Sequence, residues 1–340
     1  STMKNSAFII LLVLAGCTFP LFNGDQKTFP ASKDTMIIRQ VRYVGSSADT
    51  LNFEIDLYHV KGYNFEHSVL PANFYNDFGL DPSYFVLPTD GTFVLKGSGR
   101  FYGAASVPSA AAILADESGS YDTLDRYNNR SQGLTKLCKD FVSPGEFIVG
   151  GFSQNGNLTS EPIEFYQTGF SPYQGGEMPF IFDLCKKTGG QSNLYDAVNN
   201  ALDKLIAGGR TPKNIIVLAH ASDEVSSILI DNLIAKANAS QVQIHILFRG
   251  QVADANPMAK LSEGTKGAFV ICPSVGEMMC SFENLYSVLG AADQVYRLNV
   301  KYKPSSGTIT SGQELWFAIK THDQYFNIDN NPIVAYVKVP

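Results

Sequence analysis

The sequence has few of the features on which enzymes and nucleic-acid-binding proteins depend. Charged residues make up only 17% of its 340 residues, and 32 acidic against 26 basic residues give a formal net charge of −6. A surface of that sign is unsuited to phosphate backbones, which argues against a nucleic-acid partner. The 5 histidines are scattered without metal-pair spacing, and His245 lies in an apolar strand, where a structural role is predicted. No G-x-S-x-G, H-E-x-x-H or Walker A string is present, so no catalytic residue and no enzymatic activity are predicted.

Long apolar runs are also missing, and the run near the start, Ala7–Ala15, is too short for a membrane-spanning helix of about 20 residues. It follows Lys4 and ends in small residues before Cys17, a pattern typical of a secretory signal. The string LAGC resembles a bacterial lipobox, in which the cysteine is acylated and becomes the mature N-terminus. This resemblance implies a lipoprotein signal peptide at 1–17 and a membrane anchor on Cys17. An ordinary signal peptide and a buried core segment are the alternatives.

The segment after Cys17 has no periodicity and contains Pro20, Gly24 and Pro30, so residues 18–34 are predicted to form a tether. Thr18 stands where an Asp would resemble an inner-membrane retention signal. The predicted location is therefore the cell envelope, on the outer membrane, with the periplasmic or surface face left open.

Cysteine is scarce, and the four cysteines after Cys17 form no C-x-x-C pair. They are Cys138, Cys185, Cys272 and Cys280. Outside the cytosol an even number permits one or two disulfides, and buried free thiols are an equal alternative. Their pairing stays open.

From about residue 108, apolar patterns of strands and helices alternate. Strands are predicted at 111–115, 147–153, 215–218, 242–248 and 269–271 with a short edge strand in 161–166, and helices at 134–141, 194–205, 230–237, 257–263 and 278–289. Strands that are apolar on both faces are typical of a parallel sheet covered by helices on both sides. Residues 106–290 are therefore predicted to form an α/β domain with a doubly wound, mainly parallel sheet.

The two flanks of this region alternate between apolar and polar residues, as antiparallel strands do. The segments are 36–44, 50–59 and 92–103 on one side, and 295–303, 314–322 and 333–339 on the other. Neither side alone has enough strands for a sandwich. Together they supply about six or seven strands, the usual number in an immunoglobulin-like sandwich. The prediction is an antiparallel β-sandwich built from 35–105 and 291–340, into which the α/β domain is inserted. Two independent β modules are the alternative.

The loop after the first buried strand carries oxygen-bearing side chains at alternate positions: Asp116, Ser118 and Ser120 spell D-x-S-x-S. With GGFS at 150–153 and GGQSNLYDAV at 189–198, this region resembles the von Willebrand factor type A (vWA) family. The family's metal-ion-dependent adhesion site (MIDAS) begins with D-x-S-x-S and takes a Ser or Thr from a second segment, where Ser192 stands. The resemblance covers about residues 106–290 and implies a Mg²⁺ site at Asp116, Ser118, Ser120 and Ser192, suited to a hard cation that prefers oxygen.

The third metal segment departs from the family pattern. Where an Asp is usual, NIIVLAHASDE places His220, with Asp223 three residues later. Either residue is a further candidate ligand, and the departure makes the site degenerate, with modest Mg²⁺ affinity. The structural alternatives are that Asp116 and its serines only cap backbone amides in a turn, that Ser192 caps the following helix, and that His220 is a rim histidine. Glu117 is predicted to be solvated.

The resemblance implies that an open position on the ion accepts an Asp or Glu carboxylate from a protein partner. The first predicted function is therefore a membrane-anchored binding or adhesion lipoprotein of the cell envelope. The alternative is a metal-independent structural subunit of a larger envelope assembly, such as a secretion, motility or uptake machine.

Overall fold

The computed structural model describes residues 35–63, 66–69, 85–86, 89–101, 110–119, 125, 129–140, 145–154, 163–172, 189–208, 212–220, 223–250, 254–271, 294–321 and 333–340. The predicted signal peptide with Cys17, the tether at 18–34 and the helix at 278–289 lie outside these residues. So do Ser120 and the cysteines Cys185, Cys272 and Cys280, and all of these stay predictions. Cys138 is buried. Within the described ranges, no helix is both long and apolar enough to cross a membrane.

The described elements follow one another in an order close to the predicted one. They are β1 (Thr35–Ser47), β2 (Thr50–Tyr63), β3 (Glu66–Val69), β4 (Phe85–Val86), β5 (Gly91–Phe101), β6 (Ala110–Asp116), α1 (Asn129–Asp140), β7 (Glu146–Phe152), β8 (Glu164–Phe165), α2 (Leu194–Gly208), β9 (Lys213–Ala219), α3 (Ile230–Ala239), β10 (Val242–Phe248), α4 (Asn256–Gly264), β11 (Phe269–Ile271), β12 (Gln294–Pro304), β13 (Glu314–Thr321) and β14 (Ile333–Lys338).

The central strands form the parallel sheet that their apolar sequences predict. Its order is β11-β10-β9-β6-β7, and the short β8 pairs antiparallel with β7 at the edge. Every residue of β6 is buried, because helices and neighbouring layers cover both faces. Leu194, Val198 and Leu202 lie on the buried stripe of α2, and burying each such side chain contributes about 1.5–3 kcal/mol. The α/β architecture is confirmed, within a sheet that is mixed as a whole.

The flanking strands differ from the predicted arrangement, because one of their layers is continuous with the parallel sheet. The antiparallel strands β5, β12, β2 and β1 extend it, β3 pairs with β2, and Ile38 of β1 pairs with Phe269 of β11. These strands and the parallel ones together make one 11-stranded sheet. A second sheet, β14-β13-β4, packs against this extension. The ring centroids of Phe53 and Phe317 are stacked at 5.0 Å between the two layers. An immunoglobulin-like connection and the domain boundaries stay predictions.

Helix α4 joins the second sheet to the α/β region along a seam with β13 and β14. Lys260 Nζ donates to Glu314 Oε1 at 2.8 Å, and Trp316 Nε1 donates to the carbonyl of Asn256 at 3.1 Å. Glu263 is buried and accepts a hydrogen bond from the backbone N–H of Tyr336. Burial raises the pKa of Glu263 well above its ordinary value of 4.5. The seam therefore fixes the flanking sheet to the helical layer.

Two buried polar pairs stabilise the extended sheet. Arg297 of β12 holds Asp56 of β2 in a bidentate ion pair, with Nε–Oδ1 at 2.6 Å and Nη2–Oδ2 at 2.7 Å. His245 of β10 accepts from the N–H of Ala268 through Nδ1, so its Nε2 carries the proton and donates to Asn214 Oδ1 at 3.1 Å. Burial lowers the pKa of His245 to about 3, so the ring is neutral, in agreement with the predicted structural role.

Candidate metal and partner-binding site

The carboxyl ends of three neighbouring strands meet at one edge of the sheet, because parallel strands point the same way. Asp116 ends β6, His220 follows β9, and Arg249 follows β10. The last two segments are joined by a hydrogen bond from the N–H of Arg249 to the carbonyl of Ala219 at 2.7 Å. In α/β folds this edge is the usual position of binding loops.

Asp116 is completely buried at this edge, and both of its carboxylate oxygens accept backbone hydrogen bonds. Oδ1 accepts from the N–H of Ser118 at 2.8 Å, and Oδ2 accepts from the N–H of His220 at 3.4 Å. Burial raises the pKa of Asp116, while hydrogen bonds from the backbone and side chain of Ser118 act against that rise. The carboxylate is thus oriented by the two segments that the sequence assigned to the site.

Arg130 supports Asp116 from the first turn of α1. Its side chain is almost completely buried, and Nη1 donates to the carbonyl of Asp116 at 2.7 Å. Nε donates to Asp125 Oδ2 at 2.9 Å, which forms a buried ion pair. The pair with Asp125 holds the Arg130 guanidinium at the carbonyl of Asp116, where its positive charge acts with the Ser118 hydrogen bonds against the rise that burial causes in the pKa of Asp116.

The loop that carries Ser192 is bonded directly to the loop of Asp116 and Ser118. Gly189 donates its N–H to the carbonyl of Glu117 at 2.9 Å, and Gly119 donates to the carbonyl of Gly190 at 3.0 Å. Gly190 has φ +71°, a left-handed conformation that favours glycine, and it lets the chain turn back against the first loop. These hydrogen bonds join the segment of Asp116 and Ser118 to the segment of Ser192.

Ser192 has a buried hydroxyl that no described residue binds. The side chain is fully buried, and Oγ has no hydrogen-bond partner in the structure as described. Its backbone is engaged, since the N–H donates to Glu224 Oε2 at 2.7 Å and the carbonyl accepts from the N–H of Glu224 at 2.9 Å. The hydroxyl accepts no hydrogen bond from a backbone N–H of α2, so the interpretation of Ser192 as a helix cap is not supported.

The two additional candidate ligands have different surroundings. Asp223 supports the start of α2, since Oδ1 accepts from the N–H of Tyr195 at 3.0 Å and Oδ2 accepts from the N–H of Ser226 at 3.0 Å. His220 is bonded directly to Asp116 through its backbone N–H. Burial lowers the pKa of His220 and the nearby Arg249 guanidinium lowers it further, which favours the neutral ring that can act as a ligand.

The donor set of this edge is one carboxylate with hydroxyl groups. Among the residues for which coordinates are described, no group of three or more His, Cys, Asp or Glu side chains is placed to hold a metal ion. A site built from Asp116, Ser118 and Ser192 instead offers one charge and neutral oxygens, a set that suits a hard cation such as Mg²⁺. The buried Ser192 Oγ, which has no hydrogen-bond partner among the described residues, fits such an ion, because coordination would satisfy it.

The prediction for Glu117 is wrong, and two basic residues of the edge escaped the sequence reasoning. Glu117 is completely buried rather than solvated, because its N–H is bonded to the carbonyl of Phe152 and its carbonyl to Gly189. Arg130 and Arg249 carry no motif. Arg249 follows a predicted strand directly, and that position at a carboxyl end was the signal that could have identified it.

No family model and no curated protein matches this sequence. Among solved structures, a von Willebrand factor type A protein from Catenulispora acidiphila is similar at 10% identity, covering 91% of this chain and 75% of its own, with a TM-score of 0.44. The ArnB paralog VWA2 from Sulfolobus acidocaldarius is similar at 12% identity, covering 89% and 74%, with a TM-score of 0.40. The pilus adhesin SpaC from Lactobacillus rhamnosus GG is similar at 7% identity, covering 88% of this chain, with a TM-score of 0.44. This chain spans only 47% of that adhesin.

Proposed function

We propose that this chain is a protein-binding module whose Asp116, Ser118 and Ser192 hold a divalent ion, Mg²⁺ by their chemistry, for binding to a carboxylate of a partner protein. The observation that carries the proposal is the buried hydroxyl of Ser192, which lacks a partner among the described residues and lies on a loop bonded to that of Asp116 and Ser118. A buried polar group without a partner is costly, and an ion at this position would satisfy it.

Each residue has a distinct role in this proposal. Asp116 provides the negative charge, held in place by the N–H groups of Ser118 and His220. Ser118 and Ser192 provide neutral oxygens, Ser120 provides a third, and His220 or Asp223 is a further candidate. The bound ion would supply a positive centre with an open position for a partner's Asp or Glu side chain. Because the protein contributes few charges, that centre would remain attractive to a carboxylate.

The second candidate function is a metal-independent structural subunit of an envelope assembly. It is favoured by the backbone hydrogen bonds that both oxygens of Asp116 already accept, and by the cationic Arg130 at its carbonyl. In that case the Asp116 loop would act only as a turn that joins strand to helix.

Calorimetric titration with Mg²⁺ distinguishes the two functions. We expect the wild-type chain to bind Mg²⁺ and Asp116→Asn, which keeps the shape but removes the charge, to lose most of that binding. The control is Asp203→Asn, since Asp203 is an exposed acid of α2 with a side chain 61% exposed. Absence of Mg²⁺ binding to the wild type, with partner recovery from crosslinked cells equal in Mg²⁺ and EDTA, would favour the structural subunit.

We also propose that the protein is anchored in the cell envelope through an acylated Cys17, on the outer membrane. The support is the LAGC string after the short apolar run. Intact mass of the membrane-extracted protein should show residues 1–16 removed and a lipid-sized increment, and Cys17→Ala should release the protein from membranes. An unmodified N-terminus at a different residue would contradict the anchor.

A further inference from the structure

Arg249 is placed at the same edge of the sheet by tight backbone packing. Its N–H donates to the carbonyl of Ala219 at 2.7 Å. The next residue is Gly250, where an added Cβ would lie 2.4 Å from a ring atom of Phe248 and 3.1 Å from the carbonyl oxygen of His220. This close approach favours glycine, and together with the Arg249–Ala219 hydrogen bond it holds the backbone of Arg249 beside that of His220.

Among the described residues, the guanidinium of Arg249 has no anionic partner. Its side chain is half-buried, and in the described part of the chain it forms no ion pair, while its buried Nε has no hydrogen-bond acceptor. Other arginines are satisfied: Arg42 is paired with Glu54, Arg130 with Asp125, and Arg297 with Asp56. A donor that is buried without an acceptor is costly, so an acceptor from outside the chain would stabilise it.

We propose that Arg249 binds an acidic side chain of the protein partner, as a second carboxylate-binding group beside the ion site. This inference rests on the proposed function for the class of ligand, but the binding group itself needs no ion. The guanidinium is planar and always charged, and it binds a carboxylate through two parallel N–H donors. The partner segment is therefore acidic, and Arg249 selects it over a neutral segment of the same shape.

The test uses the full chain, labelled with ¹⁵N, and the probe N-acetyl-Asp-Asp-amide, with N-acetyl-Asn-Asn-amide as the uncharged control. The Nε–H signal of Arg249 is assigned by its loss in Arg249→Lys. In EDTA we expect the acidic probe, and not the amide probe, to shift this signal. We expect Arg249→Gln to weaken binding of the acidic probe by about tenfold or more, the loss typical of a charged hydrogen bond.

The matched control is Lys301→Gln, which removes one positive charge from an exposed position of β12 and should leave probe binding unchanged. Because the side chain of Arg249 has no described partner, Arg249→Gln should unfold at the same temperature as the wild type. Arg249→Lys is a second variant, which keeps the positive charge. It should retain part of the affinity, since the ammonium lacks the planar pair of donors.

Parallel titrations in Mg²⁺ separate this inference from the proposed function. If Mg²⁺ adds no affinity but Arg249→Gln still weakens binding, the ion proposal fails and the role of Arg249 is supported. If Mg²⁺ strengthens binding and Arg249→Gln equals the wild type in both buffers, the inference is overturned while the ion proposal stands. An Nε–H signal that does not respond to the acidic probe also overturns it.

Discussion

Removing the hydroxyl of Ser192 is expected to stabilise the ion-free protein and to weaken its response to Mg²⁺. Ser192 is fully buried, and Oγ has no partner in the described structure. A buried polar group left unpaired costs about 1–3 kcal/mol. Ser192→Ala removes that cost and leaves only a small cavity, so we expect the free energy of unfolding in EDTA to rise by about 1 kcal/mol.

Ser262→Ala is the matched control, because the same atom is removed at equal burial. Ser262 is also fully buried, but its Oγ donates to the carbonyl of Ala268 at 2.8 Å. There the substitution breaks a hydrogen bond, and we expect a loss of about 1 kcal/mol. Opposite signs for the two serines would distinguish a hydroxyl that awaits a ligand from one that stabilises the fold.

Urea denaturation in EDTA and in Mg²⁺ measures both effects. A ligand that binds only the folded state raises the free energy of unfolding by about 1.4 kcal/mol when its free concentration is ten times its Kd. The wild type should gain this amount, and Ser192→Ala should gain clearly less. The reasoning is refuted if Ser192→Ala is destabilised in EDTA as much as Ser262→Ala. It is also refuted if Mg²⁺ raises the free energy of unfolding equally in the wild type and in Ser192→Ala.

Two further predictions concern buried charges away from the site. The folded state raises the pKa of Glu263 above the ordinary 4.5, so the folded chain binds more protons than the unfolded chain above that pH, and its stability falls as pH rises through the folded-state pKa. Glu263→Gln should lose less stability over the same pH series, and equal slopes would count against this origin. Asp56→Ala, which removes the bidentate partner of the buried Arg297 and leaves it the ion pair with Glu54, should cost about 1.5–3 kcal/mol in urea denaturation. Lys303→Ala, which breaks the exposed pair with Asp49, should cause a much smaller change.

The parallel sheet could be predicted because its strands are apolar on both faces. In β6 and β9 the short run of small and branched apolar residues, followed by a turn and a helical pattern, favours a strand in the interior of a covered sheet. The continuity between the parallel strands and the antiparallel strands β5, β12, β2 and β1 could not be predicted. It depends on a single described pairing between Ile38 and Phe269, and alternation within a strand does not identify its neighbour in the sheet.

The parts of the candidate site that a sequence motif places on one loop could be predicted. The burial and the neighbours of the other residues depend on tertiary contacts and could not be predicted. Asp116 and Ser118 are two residues apart on one loop, and Ser192 follows from the resemblance of its segment. Glu117 shows the limit, since an acidic residue in a loop is usually exposed, whereas this one is buried and its backbone is bonded to the end of β7 and to the loop of Gly189. Arg249 carries no sequence motif, and its importance depends on the absence of a described anionic partner around it.

The register of the large sheet places the start of β1 at the same edge as the candidate site. One row across the sheet contains Ile38, Phe269, Ile246, Val217 and Leu114. Since β1 runs antiparallel to the parallel strands of that row, Met36 lies level with Asp116, so β1 begins at the edge that would receive the partner. Residues 18–34, even fully extended, reach about 60 Å. If Cys17 is acylated, the lipid anchor and this tether would keep the candidate site within about 60 Å of the membrane, and only partners within that distance could bind.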